Sequence, residues 1–417
     1  MCEANALCFS YLQTRTNELQ WCRENGVDKD EKVMRIDRVF VQAEAQRSAL
    51  VGRFCAALAH ADVVIVNSEA EVRQHLHGPD KRAIYIGPRS SKFVSRFHPP
   101  HGMVCATFWK FTSETECLYG CHYCYLALTM RIIPYLRVAS NLDDGVRELE
   151  AALQSEAAAD RRAMFNIGEL ADGRLLDPIT EFSRAVVPML HHYPNGMLHV
   201  LTKSGIATIS NYLELAHLAR KRVIQVASIN PQSIIDLTED GTPPVIDRLN
   251  ALRELQKAGY RIRLRIDPIF DLRELSPGSS LREAFGVYDE LVTLVRRRIS
   301  PEMVTLGSYR PNPQLIPHIR RRYPESPVLQ LETHKEGAKR RITGRETFYA
   351  HIAERLQAAF SSVHVALCKE TPTTWRKAEL EMKPLQCSCL PLVEERRLQP
   401  CLPALPKIPI PKPIAAA

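Results

Sequence analysis

Three cysteines within eight residues, Cys117-Leu-Tyr-Gly-Cys121-His-Tyr-Cys124, carry the most specific chemical signal in this 417-residue chain. Thiolates at this spacing can converge on one metal centre from a single loop. A structural zinc site needs four closed ligands, and His122 is the residue in the loop that would complete one. Three cysteines without a fourth suit a [4Fe–4S] cluster with one open iron. Cys368, Cys387 and Cys389 form a second group, to be read as a further metal site or as buried thiols. Cys2, Cys8, Cys22, Cys55, Cys105 and Cys401 read as singles. Disulfides are disfavoured in a reducing compartment, so twelve cysteines give weight to metal or redox chemistry.

The elements that must position these residues follow a regular period. From about Cys105 onward, strand-like runs alternate with helix-like runs. Met164–Gly168, Leu198–Thr202, Val223–Ser228, Arg261–Ile269 and Met303–Gly307 read as strands. Helical patterns follow them near Ile179–His191, Ile209–Lys221, Val245–Ala258, Leu281–Arg298 and Leu315–Arg322. With one strand just before the cysteine loop this makes six βα units, an incomplete barrel or a wide parallel sheet. Ligands of such folds bind beyond the C-terminal ends of the strands. The polar residues there are Gly168-Glu169, Lys203-Ser204, Ser228 to Asn230, Asp267 and Ser308 to Arg310.

Residues 1–50 read as helix and loop. Asp62–Asn67 and Ala83–Ile86 read as short strands, the first of them buried. The expected organisation is an N-terminal α/β lead-in over 1–100 and a partial (β/α)6 barrel over 101–325. An extension follows over 326–390, and then a Pro-rich tail over 391–417 of disordered or polyproline character.

Composition narrows the class. A hydrophobic fraction of 45% with 24% charged residues is that of a globular protein and excludes collagen, coiled coil and wholesale disorder. No apolar run approaches a membrane span, and the first residues lack the pattern of a signal peptide, so a cytoplasmic protein without a membrane partner is expected. The net charge of +8 is concentrated between Arg261 and Arg345, which suits a nucleic-acid partner for the basic C-terminal half.

C-x3-C-x2-C with the aromatic Tyr123 before the third cysteine is the signature of the radical S-adenosylmethionine superfamily. The segment CLYGCHYCYLALTMRIIPYLRV resembles the cluster loop of the spore photoproduct lyase family. So do VLTKSG (Val200–Gly205), VASINPQSIID (Val226–Asp236), GTPPVIDRL (Gly241–Leu249), AGYRIRLRIDPIF (Ala258–Phe270) and LGSYR (Leu306–Arg310) before RRRYP. The similarity spans roughly Ala83 to Cys389. It implies a radical-type partial barrel holding a [4Fe–4S] cluster on Cys117, Cys121 and Cys124. It also implies S-adenosyl-L-methionine on the open iron and an external electron donor of flavodoxin or ferredoxin type. The cluster would reductively cleave the cofactor to a 5′-deoxyadenosyl radical that takes hydrogen from a substrate. In the family that substrate is a methylene-bridged thymine dimer in DNA.

The same resemblance assigns roles. Tyr123 and Tyr125 would lie near the cofactor and pass the radical. Glu169 would accept the cofactor's amino group. Lys203 and Ser228, with Asn230, would meet its carboxylate. Arg310 would face substrate phosphates, forming a basic wall with Arg320, Arg321 and Arg322. The pattern breaks at one place: the family's hydrogen-returning cysteine after the second strand is Gly168 here. That leaves open a changed substrate, or a donor from Cys368, Cys387 or Cys389. A non-catalytic [4Fe–4S] protein that binds nucleic acid is the competing expectation.

Overall fold

The structure is a computed structural model and describes residues 36–99, 101–105, 107–336, 339–380 and 387–392. The single cysteines Cys2, Cys8, Cys22 and Cys401, and all of the expected tail beyond residue 392, lie outside the described residues. Two sheets carry the architecture. Their strands, in chain order, are β1 (Arg38–Gln42), β2 (Asp62–Val66), β3 (Ala83–Gly87), β4 (Val94–Phe97), β5 (Phe108–Phe111), β6 (Leu136–Ala139), β7 (Ala163–Ile167), β8 (Gly196–Thr202), β9 (Val223–Ser228), β10 (Arg261–Ile269), β11 (Met303–Ser308) and β12 (His364–Leu367).

The smaller sheet runs β2-β1-β3-β6 in parallel and ends on the two-residue strand Glu114–Thr115, which pairs antiparallel with β6. β1 alternates its side chains across the sheet. Val39 and Val41 pack with Phe54, Ile84, Ile86 and Leu136 on one face, and Phe40 packs with Val66, Tyr85 and Tyr135 on the other. Glu114–Thr115 leads directly into the cysteine loop, so this sheet is the platform on which the loop starts.

The larger sheet has eight strands in the order β12-β11-β10-β9-β8-β7-β5-β4. Every pairing is parallel except β4 with β5. Both faces are covered, as parallel sheets require. Phe165, Leu198, Val200, Leu264 and Val304 join the large core shared with the helices. Met164, Met197, Ile224 and Val226 form a separate small cluster, the apolar layer of the barrel interior. The helix Leu281–Arg296 begins with a reciprocal cap, Ser280 accepting from the Glu283 amide and the Glu283 carboxylate accepting from that of Ser280.

All six strands read from the sequence are present in this sheet. Three expectations need correction. The first is the count: β12, from the segment read as an extension, adds a seventh parallel strand beside β11. The second is the boundary at residue 100, which does not separate the sheets. β4 lies in the barrel sheet, whereas β6 and Glu114–Thr115 lie in the smaller one. These strands have two to four residues, too few for a period to register. The third concerns the first 100 residues. The helix or loop expected there is instead β1, an interior strand flanked by β2 and β3. β2, expected to be buried, is an edge strand with Val63 and Ile65 each 43% exposed. Which strand lies at an edge is decided by tertiary neighbours that local pattern does not encode.

Candidate metal and cofactor site

The cysteine loop is tied at both ends. Cys117 follows Glu116, whose φ of 76° turns the chain out of the small sheet. Gly120–Cys121 then pairs antiparallel with Glu239–Asp240, and the His122 amide donates to the Thr238 carbonyl at 2.9 Å. A Cβ on Gly120 would stand 2.9 Å from the Asp240 Cβ, so the close approach requires glycine. Cys124 leads into the short helix Leu126–Thr129.

Cys121 and Cys124 raise the pKa of Cys117, and Cys124 raises that of Cys121. Burial is the larger cause: it pushes Cys121 up to about 12 and lifts Cys117 and Cys124 as well. Lys81, buried behind the loop, opposes this at all three, and its ammonium donates to the Tyr119 carbonyl between the first two cysteines. One buried and two half-buried thiols beside a buried cation suit an anionic thiolate-bound centre, whose binding would drive off the protons. His122 does not complete a zinc set. Its Nδ1 lies 2.8 Å from Ser326 Oγ, its Nε2 3.4 Å from Asp240, and its ring stacks on Tyr323. The donor set therefore fits a cluster held by three cysteines better than a closed zinc site.

The loop's pairing with residues 239–240 brings a carboxylate under Tyr123. Glu239 is fully buried and accepts from Lys203 Nζ at 2.9 Å, from Arg248 Nη2 at 2.7 Å and from the Tyr123 hydroxyl. Burial alone would raise its pKa, but the two cations hold it well below the usual carboxylate range. Lys203 Nζ also reaches Ser228 Oγ at 3.0 Å and the Tyr123 hydroxyl at 2.9 Å. Tyr123, Lys203 and Ser228, from the loop and the ends of β8 and β9, thus share one hydrogen-bonded network.

Asn230 lies beside this network. Its Nδ2 donates to the Pro268 carbonyl at 3.0 Å, while its Oδ1 is buried without a hydrogen-bond partner. Such an orphaned acceptor at a strand end suits a ligand's amino group or hydroxyl.

Glu169 stands apart from Lys203. It lines a small cavity with Arg265, Cys105, Cys368, Cys387 and Cys389, and its backbone carbonyl accepts from the Tyr125 hydroxyl. The C-terminal cysteines do fold back onto the barrel. Cys389 Sγ accepts from Arg265 Nη2 at 2.9 Å. Ser388 reaches His199, and the carbonyls of Ser388 and Leu390 accept from Arg263. Among the described residues no three His, Cys, Asp or Glu stand in metal-holding geometry, the loop cysteines Cys117, Cys121 and Cys124 included, so the loop's claim on a cluster rests on its donor types and spacing. Cys105, read as a single, belongs to this group of thiols.

Arg310 sits at the end of β11 in a bidentate pair with Asp267, both oxygens at 2.9 Å. The wall expected of it and Arg320 to Arg322 does not form: Arg321 and Arg322 line a separate cavity with Arg38, Arg82, His75, His77 and His318. Sequence reasoning also missed Glu239, Arg248, Lys81 and Asp172. The last accepts from Thr202 Oγ1 at 2.6 Å and the Lys203 amide at 2.7 Å, fixing the turn that aims Lys203. Asp172 and Glu239 carried no local signal, since Asp172 lies in a loop and Glu239 gains its role only through a two-residue pairing with the cysteine loop.

Comparison with known proteins agrees with this architecture. The family model described as spore photoproduct lyase matches residues 37–380. The chain is 26% identical over 226 residues to the spore photoproduct lyase of Bacillus subtilis (strain 168), covering 54% of this chain and 63% of that protein. It is 29% identical over 156 residues to that of Geobacillus sp. (strain Y412MC61), covering 37% and 44%. The matched stretches thus span about half the length of these relatives. A spore photoproduct lyase complexed with dinucleoside spore photoproduct superimposes with a TM-score of 0.64 at 19% identity, covering 80% of this chain and 99% of that one. A double mutant with bound AdoMet and the same dinucleoside gives 0.63 at 20%, covering 79% and 97%. The fold is therefore that of these enzymes, and the chain belongs to the spore photoproduct lyase family.

Proposed function

We propose that this protein is a radical S-adenosylmethionine enzyme of the spore photoproduct lyase type. Cys117, Cys121 and Cys124 would hold a [4Fe–4S] cluster, and the cofactor would lie between them and the ends of β8 and β9. Together these groups supply a carbon-centred radical able to take hydrogen from a substrate. The observation that carries the reading is the network of Tyr123, Lys203, Ser228 and Glu239. Pairing of the cysteine loop with residues 239–240 brings it to the strand ends.

In this reading Lys203 offers a cation to the cofactor carboxylate, with Glu239 and Ser228 holding its ammonium in place. Asn230 Oδ1 provides a buried acceptor without a hydrogen-bond partner. Tyr123 packs between Phe270 and Tyr309, ring centroids 5.4 and 6.5 Å away, which keeps water from the same space.

The substrate we infer is a thymine lesion in DNA or a related nucleic-acid base. Basic residues at the barrel's open end, Arg265 and Arg310, support a phosphate-bearing substrate, although Asp267 already engages Arg310. Hydrogen return differs from the family pattern. Gly168 has φ +94°, and a Cβ there would stand 2.4 Å from the Leu201 carbonyl oxygen. That backbone admits no side chain, so Gly168 supplies no thiol here. The test is an anaerobic incubation with AdoMet, reductant and an oligonucleotide carrying methylene-bridged thymines. Recovery of unmodified thymine supports the lesion as substrate. 5′-Deoxyadenosine without thymine recovery would move the activity to another substrate.

A further inference from the structure

A buried cluster loop must be reached by an electron from outside, and one surface leads to it. A cavity of about 560 Å³ opens between the small sheet and the helix Ile316–Arg322. Arg38, Arg82, Arg321, Arg322, His75, His77 and His318 line it, with Asp80 as the one carboxylate among the lining residues. Arg82 is paired with Asp37 at 3.1 Å and Asp80 at 3.5 Å. Among the described residues no carboxylate pairs with Arg321 or Arg322. Burial, then Arg322, Arg321, Lys81 and Arg131, push His318 down to about 4, the response of an imidazole among unneutralised cations.

This cavity adjoins the cysteine loop. Its lining residues Asp80 and Arg82 flank Lys81, whose ammonium reaches the Tyr119 carbonyl between Cys117 and Cys121. Four arginines and three histidines against one carboxylate make this lining strongly basic, the charge pattern that steers and docks an acidic partner.

We propose that this basic face is the docking site of an acidic one-electron carrier protein, which delivers its electron to the cluster loop past Lys81. The step balances simply: the reduced carrier loses one electron and the cluster gains it. The proposal rests on the radical reading given above, since only a redox centre at Cys117, Cys121 and Cys124 needs this supply. A duplex could also be drawn to positive charge. The carrier is favoured because the cavity opens behind the cluster loop, while Glu169, Lys203, Ser228 and Arg310 belong to the strand ends.

The experiment compares two reductants on the reconstituted full chain. One is a reduced flavodoxin, an acidic carrier; the other is dithionite, which needs no docking. The variant is Arg321→Glu/Arg322→Glu. We expect carrier-driven 5′-deoxyadenosine formation to fall at least about tenfold and dithionite-driven formation to stay unchanged. Wild-type turnover with the carrier should also fall steeply with ionic strength, a measurement that requires no variant. Carrier-driven rates indifferent to both charge reversal and salt would overturn the proposal. So would a variant that loses oligonucleotide binding while keeping the carrier rate, which would assign the face to nucleic acid. If dithionite yields no product from wild type, the radical reading fails instead; binding of oxidised flavodoxin, wild type against variant, still reads the surface.

Discussion

Lys203 Nζ stands 2.9 Å from Glu239 Oε1, so the cation at the end of β8 is held by a carboxylate that arrives with the cysteine loop. Glu239 is fully buried and Lys203 partly so, and the buried Arg248 shares the carboxylate from the other side. Loop, β8 and β9 are therefore coupled through one charge. Removing it leaves Lys203 and the buried Arg248 without their shared counter-charge.

Glu239→Gln should destabilise the fold by about 3–5 kcal/mol, the cost of breaking a buried pair from one side. Chemical denaturation of the two proteins checks this. The pH dependence has a definite sign. The Glu239 carboxyl is held below its ordinary range in the fold, so its contribution is complete at neutral pH. It is lost as pH falls below the ordinary carboxylate range. The variant should show a smaller acid-side loss than the wild type.

Lys203→Met should weaken AdoMet binding at least about tenfold, as the loss of a charge-assisted hydrogen bond to a carboxylate implies. Ser228→Ala, which removes one neutral partner of the same ammonium, should cost less. Calorimetric titration of the reconstituted proteins separates the two. Equal binding by Lys203→Met and wild type would remove Lys203 from the cofactor site.

Gly168→Cys should not restore a family-type thiol. With φ +94° and the Leu201 carbonyl oxygen 2.4 Å from the new Cβ, the substitution should cost about 1–3 kcal/mol of backbone strain. A lowered denaturation midpoint is the expected result. A variant as stable as wild type would show that this turn can move aside.

His318 provides a second pH signature. Its imidazole titrates near 4 in the fold against 6.5 ordinarily, so the fold resists its protonation. Stability is complete above about pH 6.5 and declines as pH falls toward 4. His318→Asn should flatten that part of the stability curve. An unchanged slope would mean that burial and the neighbouring cations do not hold His318 neutral in the fold.

Much of the site was legible because it rests on short spacings. Cys117, Cys121 and Cys124 are local, and Lys203 and Ser228 sit at the ends of strands whose β-branched runs announce them. β9 and β10 begin and end where the pattern places them. What escaped was long-range. Glu239 acquires its role through a two-residue pairing with Cys121, more than a hundred positions away, and Lys81 through a contact with Tyr119. Cys105 meets Cys368 through the bridge between Val104 and Glu370, and Cys389 joins them because residues 387–392 return to the barrel. Arg320 to Arg322 looked continuous with Arg310, but the helix that carries them faces the small sheet.

The most direct test of the account is 5′-deoxyadenosine formation by the anaerobically reconstituted protein given AdoMet and a strong reductant, with Cys121→Ala beside it. The account predicts product from the wild type and none above background from the variant. No product from wild type carrying a full, reducible cluster would contradict it and leave an iron–sulfur protein that binds without catalysing.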